Sequence, residues 1–164
     1  MSSLVDPLVR IAYRGAYTLA LGYWFVRRPE TEGTLVGVWH GRKVLLLQNS
    51  YKRVFSLPGG GQHRGESPRE TGARELREEV GLSVAPSELR EVFEARGTDE
   101  YKRDLCHFAE LEVDAEPTLA LDNREVVWAA FIDLDTALQL PLAQLVRAYL
   151  EEAARRRGQG TSTP

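Results

Sequence analysis

Apolar residues along the chain alternate between extended and helical spacing, and this alternation predicts strands interleaved with helices. Residues 34–39 and 43–48 are β-rich apolar segments on either side of His40-Gly41, a pair typical of a hairpin turn. Further strands are predicted at residues 53–57, 88–95, 104–113 and 125–132. Helices are predicted at residues 6–28, 68–80 and 134–157, the last with a break near Pro141. This order of elements predicts an α/β or α+β sandwich.

The first predicted helix is apolar around most of its circumference. Its polar positions recur every fourth residue and form one narrow stripe: Arg10, Arg14, Thr18 and Gly22. A helix of this kind needs a partner for its apolar surface. Three partners are open, namely the rest of the domain, a second subunit in a homodimer, or a membrane surface reached with the help of Arg27 and Arg28.

Composition and charge narrow the class of protein. The 164 residues suit one domain, and 43% hydrophobic and 27% charged residues are ordinary for a globular protein in water. A net charge of −3 provides no field that would collect duplex nucleic acid. The one cysteine, Cys106, cannot form an internal disulfide, and the start of the chain lacks a basic leader. We therefore expect a cytoplasmic protein.

The most informative segment is residues 60–82, GGQHRGESPRETGARELREEVGL. Ser67 and Glu70 have the spacing of a capping box at the start of a helix, with Pro68 in its first turn. Gly81 after Val80 is a usual helix stop. The sequence therefore predicts a helix that is well bounded at both ends.

Three glutamates crowd one part of this helix. Glu75 and Glu79 are four residues apart, and Glu78 lies three residues after Glu75. Two carboxylates about 5 Å apart repel each other by roughly 3 kcal/mol at an effective dielectric of 20. A hard divalent cation such as Mg²⁺ resolves this repulsion. The alternative is a solvated surface helix held by ion pairs such as Arg74–Glu78, and the glycine-rich loop at residues 58–61 favours a ligand site instead.

Segment 60–82 resembles the Nudix box, Gly-x5-Glu-x7-Arg-Glu-apolar-x-Glu-Glu-x-Gly-apolar. The nine specified positions are all filled, by Gly60, Glu66, Arg74, Glu75, Leu76, Glu78, Glu79, Gly81 and Leu82. The seven fixed letters arise by chance on the order of 10⁻⁹ per window at residue frequencies near 6%. A looser resemblance covers residues 34–140. His63 and Arg64 depart from the commoner acidic residue and proline, but neither is a ligand position.

This resemblance implies a Nudix-type α/β/α sandwich with a mixed central sheet, and the N-terminal helix predicted from the residue pattern is an extra element outside the shared core. Residues 1–30 would form this amphipathic helix, residues 31–157 the Nudix hydrolase domain, and residues 158–164 a disordered tail. The implied reaction is attack of water on a phosphorus of a nucleoside diphosphate linked to another group. The implied cofactor is Mg²⁺, with Mn²⁺ as a substitute, and the partner is a small nucleotide-type substrate.

The resemblance also implies roles for individual residues. The implied metal ligands are Glu75, Glu78, Glu79 and the carbonyl of Gly59. Glu66 would support the site from behind these ligands, and Arg74 would orient the glutamates. The general base is left between Glu78 and a carboxylate outside the box, for which Glu125 is the candidate.

The sequence indicates the residues that contact the substrate less specifically than it indicates the metal ligands. Arg53 and Arg103, together with Lys52, are cations suited to phosphates, and the backbone of Gly60 and Gly61 allows a close approach. The aromatic residues Trp39, Tyr101 and Trp128 suit stacking on a base, although tryptophans in strands more often lie in the core.

Two other functions are compatible with a Nudix fold, a non-catalytic ligand sensor and an isomerase. The intact Arg-Glu-x-x-Glu-Glu set argues against a sensor, because a binding module has no need of clustered carboxylates. An isomerase would need further acid and base residues that the sequence does not show. No feature of the sequence selects one diphosphate substrate.

Overall fold

The computed structural model describes residues 6–97, 103–121 and 123–159. These residues contain four α-helices, six strands and a short 3-10 helix (Pro86–Glu88). In chain order the helices and strands are α1 (Asp6–Arg27), β1 (Glu30–His40), β2 (Lys43–Asn49), β3 (Gly59–Gly61), α2 (Pro68–Val80), β4 (Arg90–Gly97), β5 (Arg103–Glu112), β6 (Val126–Asp133), α3 (Leu134–Ala137) and α4 (Gln144–Gln159). The predicted break near Pro141 is confirmed, since it separates α3 from α4. Helix α4 continues two residues into the predicted tail, and residues 160–164 lie outside the described residues.

The strands form one mixed sheet in the order β4-β5-β1-β2-β6, with β3 attached to β1. Strands β1 and β5 run parallel, in register from Glu30–Arg103 to Trp39–Glu112. The other pairs are antiparallel. Strand β2 pairs with β1 only next to the hairpin, and β3 pairs with the same edge of β1 further along. The predicted mixed sheet is confirmed.

The glycine run is a strand, and this corrects the prediction of a loop there. Gly59–Gly61 pairs with residues 33–35 of β1, whereas the strand predicted at residues 53–57 forms only isolated bridges. A β-carbon on Gly33 would lie 2.6 Å from the carbonyl oxygen of Gly60, so the two backbones can approach only where side chains are missing. Because glycine is depleted in strands on average, the sequence pattern did not predict β3.

The sheet has an apolar layer on each face, which makes the predicted α/β/α sandwich. On one face, strand residues such as Trp39 and Phe108 pack with residues of α4 that include Tyr149 and Leu150. On the other face, the strands pack against Leu76 and other residues of α2. Helix α2 is thereby fixed against the sheet, with Glu79 among its buried residues and half of the Glu78 side chain exposed.

Helix α1 lies on the outside, and none of its described side chains is buried. Two residues of its polar stripe reach the domain: Arg10 donates to the carbonyl of Asn123, and Arg14 to that of Ser50. Its opposite side is apolar and exposed, with 77% of Leu19 accessible to solvent. Within one chain the domain therefore covers the side of α1 that carries Arg10, Arg14 and Tyr17, and a second subunit or a membrane surface on the exposed apolar side stays a prediction. None of the described helices is long and apolar enough to cross a membrane.

Candidate active site

Local capping sets both ends of α2 at the residues predicted from the sequence. The Ser67 hydroxyl accepts from the Glu70 amide at 3.3 Å, and the Ser67 amide donates to Glu70 Oε2 at 2.8 Å. At the other end, Gly81 has φ 74°, and its N–H donates to the carbonyl of Leu76. These caps fix where the helix begins and ends, and thereby which side chains face β3.

Strand β3 is the surface on which two of the box glutamates lie. The Gly59 amide donates to Glu79 Oε2 at 2.8 Å. A β-carbon on Gly60 would lie 2.4 Å from Glu75 Oε1, so this carboxylate packs directly on the glycine. Gly59 itself has φ 146°, and a β-carbon there would lie 2.1 Å from the carbonyl oxygen of Thr34. The close approach that glycine permits is used here by the protein's own carboxylates.

Arg74 joins the acidic residues into one cluster. Its Nε and Nη2 donate to the two oxygens of Glu66, at 2.9 and 3.1 Å. Its Nη1 donates to Glu75 Oε1 at 2.6 Å and reaches Glu78 Oε2 at 3.4 Å. Nη2 also donates to the Gly61 carbonyl at 2.9 Å. One guanidinium group, with only 14% of its side chain exposed, therefore positions three carboxylates.

Glu66 is held as a fully ionised support for Arg74. Besides the bidentate pair, it accepts from the His63 amide at 3.0 Å and from the Thr71 hydroxyl at 2.9 Å. The hydrogen bond from Arg74, followed by that from the His63 amide, lowers its pKa to about 2. A carboxylate with this many donors is poorly suited to exchange protons at neutral pH.

The carboxyl group of Glu75 has a raised pKa. Burial raises its pKa, Arg74 opposes this increase, and the negative charges of Glu78 and Glu125 add to it. Glu125, fifty positions further along the chain, therefore lies within electrostatic range of Glu75. Tyr51 Oη donates to Glu125 Oε1 at 2.5 Å, and the Ser50 amide donates to the Glu125 carbonyl at 2.7 Å. The site thus combines α2 with the segment that precedes β6.

Within the described residues, no three His, Cys, Asp or Glu side chains form a ready-made metal cage. Arg74 Nη1 occupies the space between Glu75 and Glu78, and Glu79 accepts from Gly59. The donor set nevertheless suits a hard divalent cation, because it consists of oxygens with an excess of negative charge. Burial is the largest cause of the raised pKa of Glu75, and a bound cation would favour the ionised form of this carboxyl group. Half of the Glu78 side chain is exposed, so it has room to turn.

The two arginines predicted to bind phosphate, Arg53 and Arg103, have different surroundings in the structure. Arg53 is exposed in the connection between β2 and β3. Arg103 begins β5 and forms an ion pair with Glu30 at 3.5 Å. Glu30 lies three residues along β1 from Gly33, the partner of Gly61, which corresponds to roughly 10 Å. The structure therefore does not bring Arg103 to the carboxylates.

The aromatic residues predicted to stack on a base differ in how exposed they are to solvent. Trp39 is fully buried and donates to Tyr149 Oη at 2.8 Å, so it belongs to the core. Trp128 is 36% exposed and packs edge-on against Phe55 near the outer strand β6. Tyr101 lies outside the described residues. Of these two tryptophans, Trp128 has a surface that another molecule can reach.

Sequence reasoning missed Tyr51, which contacts Glu125. Seventy-four positions separate the two residues, and no periodicity or motif links them. The only local signal is a tyrosine directly after the buried end of β2, in front of Lys52 and Arg53. Thr71 was missed for a similar reason, since its hydroxyl is hidden on the inner side of α2.

Comparison with known proteins places this site in context. A family model described as the NUDIX domain matches residues 29–153. A stretch of 51 residues is 43% identical to the uncharacterized Nudix hydrolase YvcI of Bacillus subtilis, over 31% of this chain and 32% of that protein. The chain thus spans about a third of the length of this curated relative.

Solved structures share the fold. A bifunctional NMN adenylyltransferase/ADP ribose pyrophosphatase from Francisella tularensis, in complex with AMP and a Mn ion, superposes with a TM-score of 0.71 and 16% identity, over 90% of this chain and 48% of that one. An Ap4A hydrolase from C. elegans superposes with a TM-score of 0.67 and 16% identity, over 79% of this chain and 98% of that one. At these identities the similarity shows the fold alone.

Proposed function

This chain belongs to the NUDIX-domain family, and from that premise we propose that it is a Mg²⁺-dependent hydrolase. The proposed substrate is a nucleoside diphosphate bonded to a second group, and the bond cleaved is the diphosphate linkage. The observation that carries the proposal is the Arg74 cluster, in which one guanidinium group aligns Glu66, Glu75 and Glu78 beside a glycine strand. A surface helix held by ion pairs would not need Gly60 to make room for Glu75.

We assign the metal to the carboxylates that face β3. Glu75, Glu78 and Glu79, with the Gly59 carbonyl, would hold Mg²⁺, and Mn²⁺ suits the same oxygen donors. When bound, the ion offsets negative charge on the diphosphate and aligns it. The Francisella tularensis neighbour was solved with AMP and a Mn ion, which agrees with this assignment. Arg74 and Glu66 take the supporting role, because Glu66 saturates two nitrogens of Arg74 and fixes its direction.

Glu125 is our assignment for the general base. It accepts the proton of the attacking water while the water oxygen forms its bond to phosphorus. The bond between that phosphorus and the bridging oxygen breaks, and the second phosphate group leaves. Glu125 is favoured over Glu78 because it comes from outside the proposed ligand set, and because Tyr51 holds one of its oxygens. Metal ligation uses the lone pairs that a base needs.

The substrate would lie over β3 between these groups. The backbone of Gly60 and Gly61 approaches its phosphates, and the exposed Arg53 pairs with one of them. Arg103 is roughly 10 Å away along the strand direction. In our proposal it contacts the distal group of an extended substrate.

The experiment that tests this function is a hydrolysis assay on a panel of diphosphates. The panel contains ADP-ribose, nucleotide sugars, dinucleoside polyphosphates and oxidised nucleoside triphosphates, each with Mg²⁺, with Mn²⁺ and with a chelator. We expect metal-dependent release of phosphate-containing products from at least one class. Binding of a nucleotide without any product in the whole panel would make the protein a sensor and overturn the proposal.

A further inference from the structure

Helix α1 is attached to the two chain segments that hold the proposed base. Arg10 donates from Nε and Nη2 to the carbonyl of Asn123, at 3.0 and 2.8 Å. Arg14 donates from Nε to the carbonyl of Ser50 at 3.0 Å. The Ser50 amide in turn donates to the carbonyl of Glu125. The helix therefore connects the end of β2 to the segment before β6, on both sides of Glu125.

A stack of aromatic rings connects α1 to the carboxylate of Glu125. The ring of Tyr51 stacks on Tyr13, with centroids 6.2 Å apart and planes at 18°, and it packs against Tyr17 at 4.9 Å. The ammonium group of Lys52 lies 5.7 and 5.9 Å from the Tyr17 and Tyr51 ring centroids. The hydroxyl of Tyr51 then donates to Glu125 Oε1 at 2.5 Å. The position of the Tyr51 ring thus sets where one oxygen of Glu125 lies.

Helix α1 also contacts the turn before Glu125. Asn123 has φ 59°, a left-handed conformation that asparagine adopts more readily than most residues other than glycine. Its carbonyl oxygen accepts hydrogen bonds from two nitrogens of Arg10. A turn in this conformation persists when surrounding contacts define it, and Arg10 supplies two of them.

Helix α1 contacts the rest of the domain with one side. The side of α1 that meets the domain carries the two arginines and the two tyrosines, while Leu19 on the opposite side is 77% exposed. None of the described α1 side chains is buried, so the helix adds little to the core. The helix also precedes residues 29–153, the part that matches the NUDIX domain. It is an addition to that domain whose described contacts converge on Glu125.

We propose that α1 is a positioning element for catalysis, which acts through Tyr51 to hold the Glu125 carboxylate in place. Arg10 and Arg14 fix the two backbone segments, and Tyr13 and Tyr17 fix the Tyr51 ring. This inference rests on the proposed function of Glu125 as the general base. Tyr51 and the residues of α1 are positioning residues, since they act on Glu125 and not on the substrate.

The test compares full-length variants with steady-state kinetics on the best substrate of the panel. Tyr51→Phe keeps the ring stack and removes only the hydroxyl that reaches Glu125. Arg10→Ala with Arg14→Ala releases the helix. Leu19→Gln is the matched control, since it changes the same helix on its exposed side. We expect the first two variants to lower kcat by about tenfold with KM within about twofold, and the control to match the wild type.

A second measurement does not depend on activity. Amide hydrogen exchange at residues 123–126 should be faster in the double arginine variant than in the wild type and in Leu19→Gln, at an unchanged Tm. Wild-type kcat in both Tyr51→Phe and the double variant would overturn the proposal. Unchanged exchange at residues 123–126 would also overturn it. If the wild type cleaves no substrate, the proposed function fails while the exchange measurement still decides whether α1 holds this segment.

Discussion

Gly60→Ala is the substitution that most sharply tests how β3 and α2 form the site. The added methyl carbon would lie 2.4 Å from Glu75 Oε1 and 2.8 Å from its carboxyl carbon. The atoms in conflict are the far end of a flexible side chain, so the carboxylate moves and the backbone does not. An ordinary contact begins at 3.4 Å, which requires Glu75 to retreat by about 1 Å.

The expected effect on activity is much larger than the effect on folding. A retreat of Glu75 lengthens its 2.6 Å hydrogen bond to Arg74 and displaces a proposed metal ligand. Misplacement of a catalytic group by 1 Å costs on the order of 10²-fold in rate, or about 2.7 kcal/mol of transition-state stabilisation. The free energy of unfolding should change by only about 1 kcal/mol, because one methyl group is accommodated by one side chain.

The assay measures kcat/KM, Mn²⁺ affinity by electron paramagnetic resonance, and Tm. Gly61→Ala is the matched comparison for metal affinity, because a β-carbon there has nothing within 4 Å and leaves Glu75 in place. We expect weaker Mn²⁺ binding in Gly60→Ala and wild-type Mn²⁺ binding in Gly61→Ala. Equal Mn²⁺ affinity and equal kcat/KM in Gly60→Ala and the wild type would refute the reasoning that Glu75 must lie against Gly60.

Three further predictions concern the other carboxylates. Glu79→Gln should keep the fold, as judged by circular dichroism, and lower kcat by at least about tenfold; near wild-type turnover would remove Glu79 from the ligand set. Glu125→Gln should lower kcat at unchanged Mg²⁺ affinity measured by calorimetry, and a parallel loss of affinity would make Glu125 a ligand. Glu66 has its pKa lowered to about 2, so its contribution to stability is complete above its ordinary value of 4.5 and is lost as the pH falls towards 2. The Tm difference between the wild type and Glu66→Gln should therefore shrink from pH 5 to pH 2, and a constant difference would contradict this.

Helix α2 was predictable to the residue because its signals are local. Ser67, Glu70 and Gly81 determine the ends of the helix through contacts within a few positions along the chain. The spacing of the glutamates then decides which side they occupy. The interleaved strands and helices predicted an α/β or α+β sandwich, and the mixed sheet was predicted only through the resemblance to the Nudix family.

Strand β3 and the orientation of α1 were not predictable, because both depend on contacts with distant parts of the chain. Gly59–Gly61 becomes a strand through close approach to Gly33, which no propensity encodes. The apolar pattern of α1 favours its hydrophobic side as the buried one. The structure instead docks the side with Arg10 and Arg14, whose hydrogen bonds are accepted by the backbone carbonyls of Asn123 and Ser50. Tyr13 and Tyr17 pack on Tyr51 from the same side, and Leu19 stays exposed. The link from Tyr51 to Glu125 was missed for the same reason.

The most direct test of the central claim is the fate of the oxygen of the attacking water. The best diphosphate of the panel is incubated with the protein and Mg²⁺ in water enriched in ¹⁸O, and the products are followed by ³¹P nuclear magnetic resonance. Our account predicts one ¹⁸O atom in one phosphate product, with no reaction in chelator and at least about tenfold slower incorporation in Glu79→Gln. Product formation without ¹⁸O on phosphorus, or at the same rate in chelator, would contradict it.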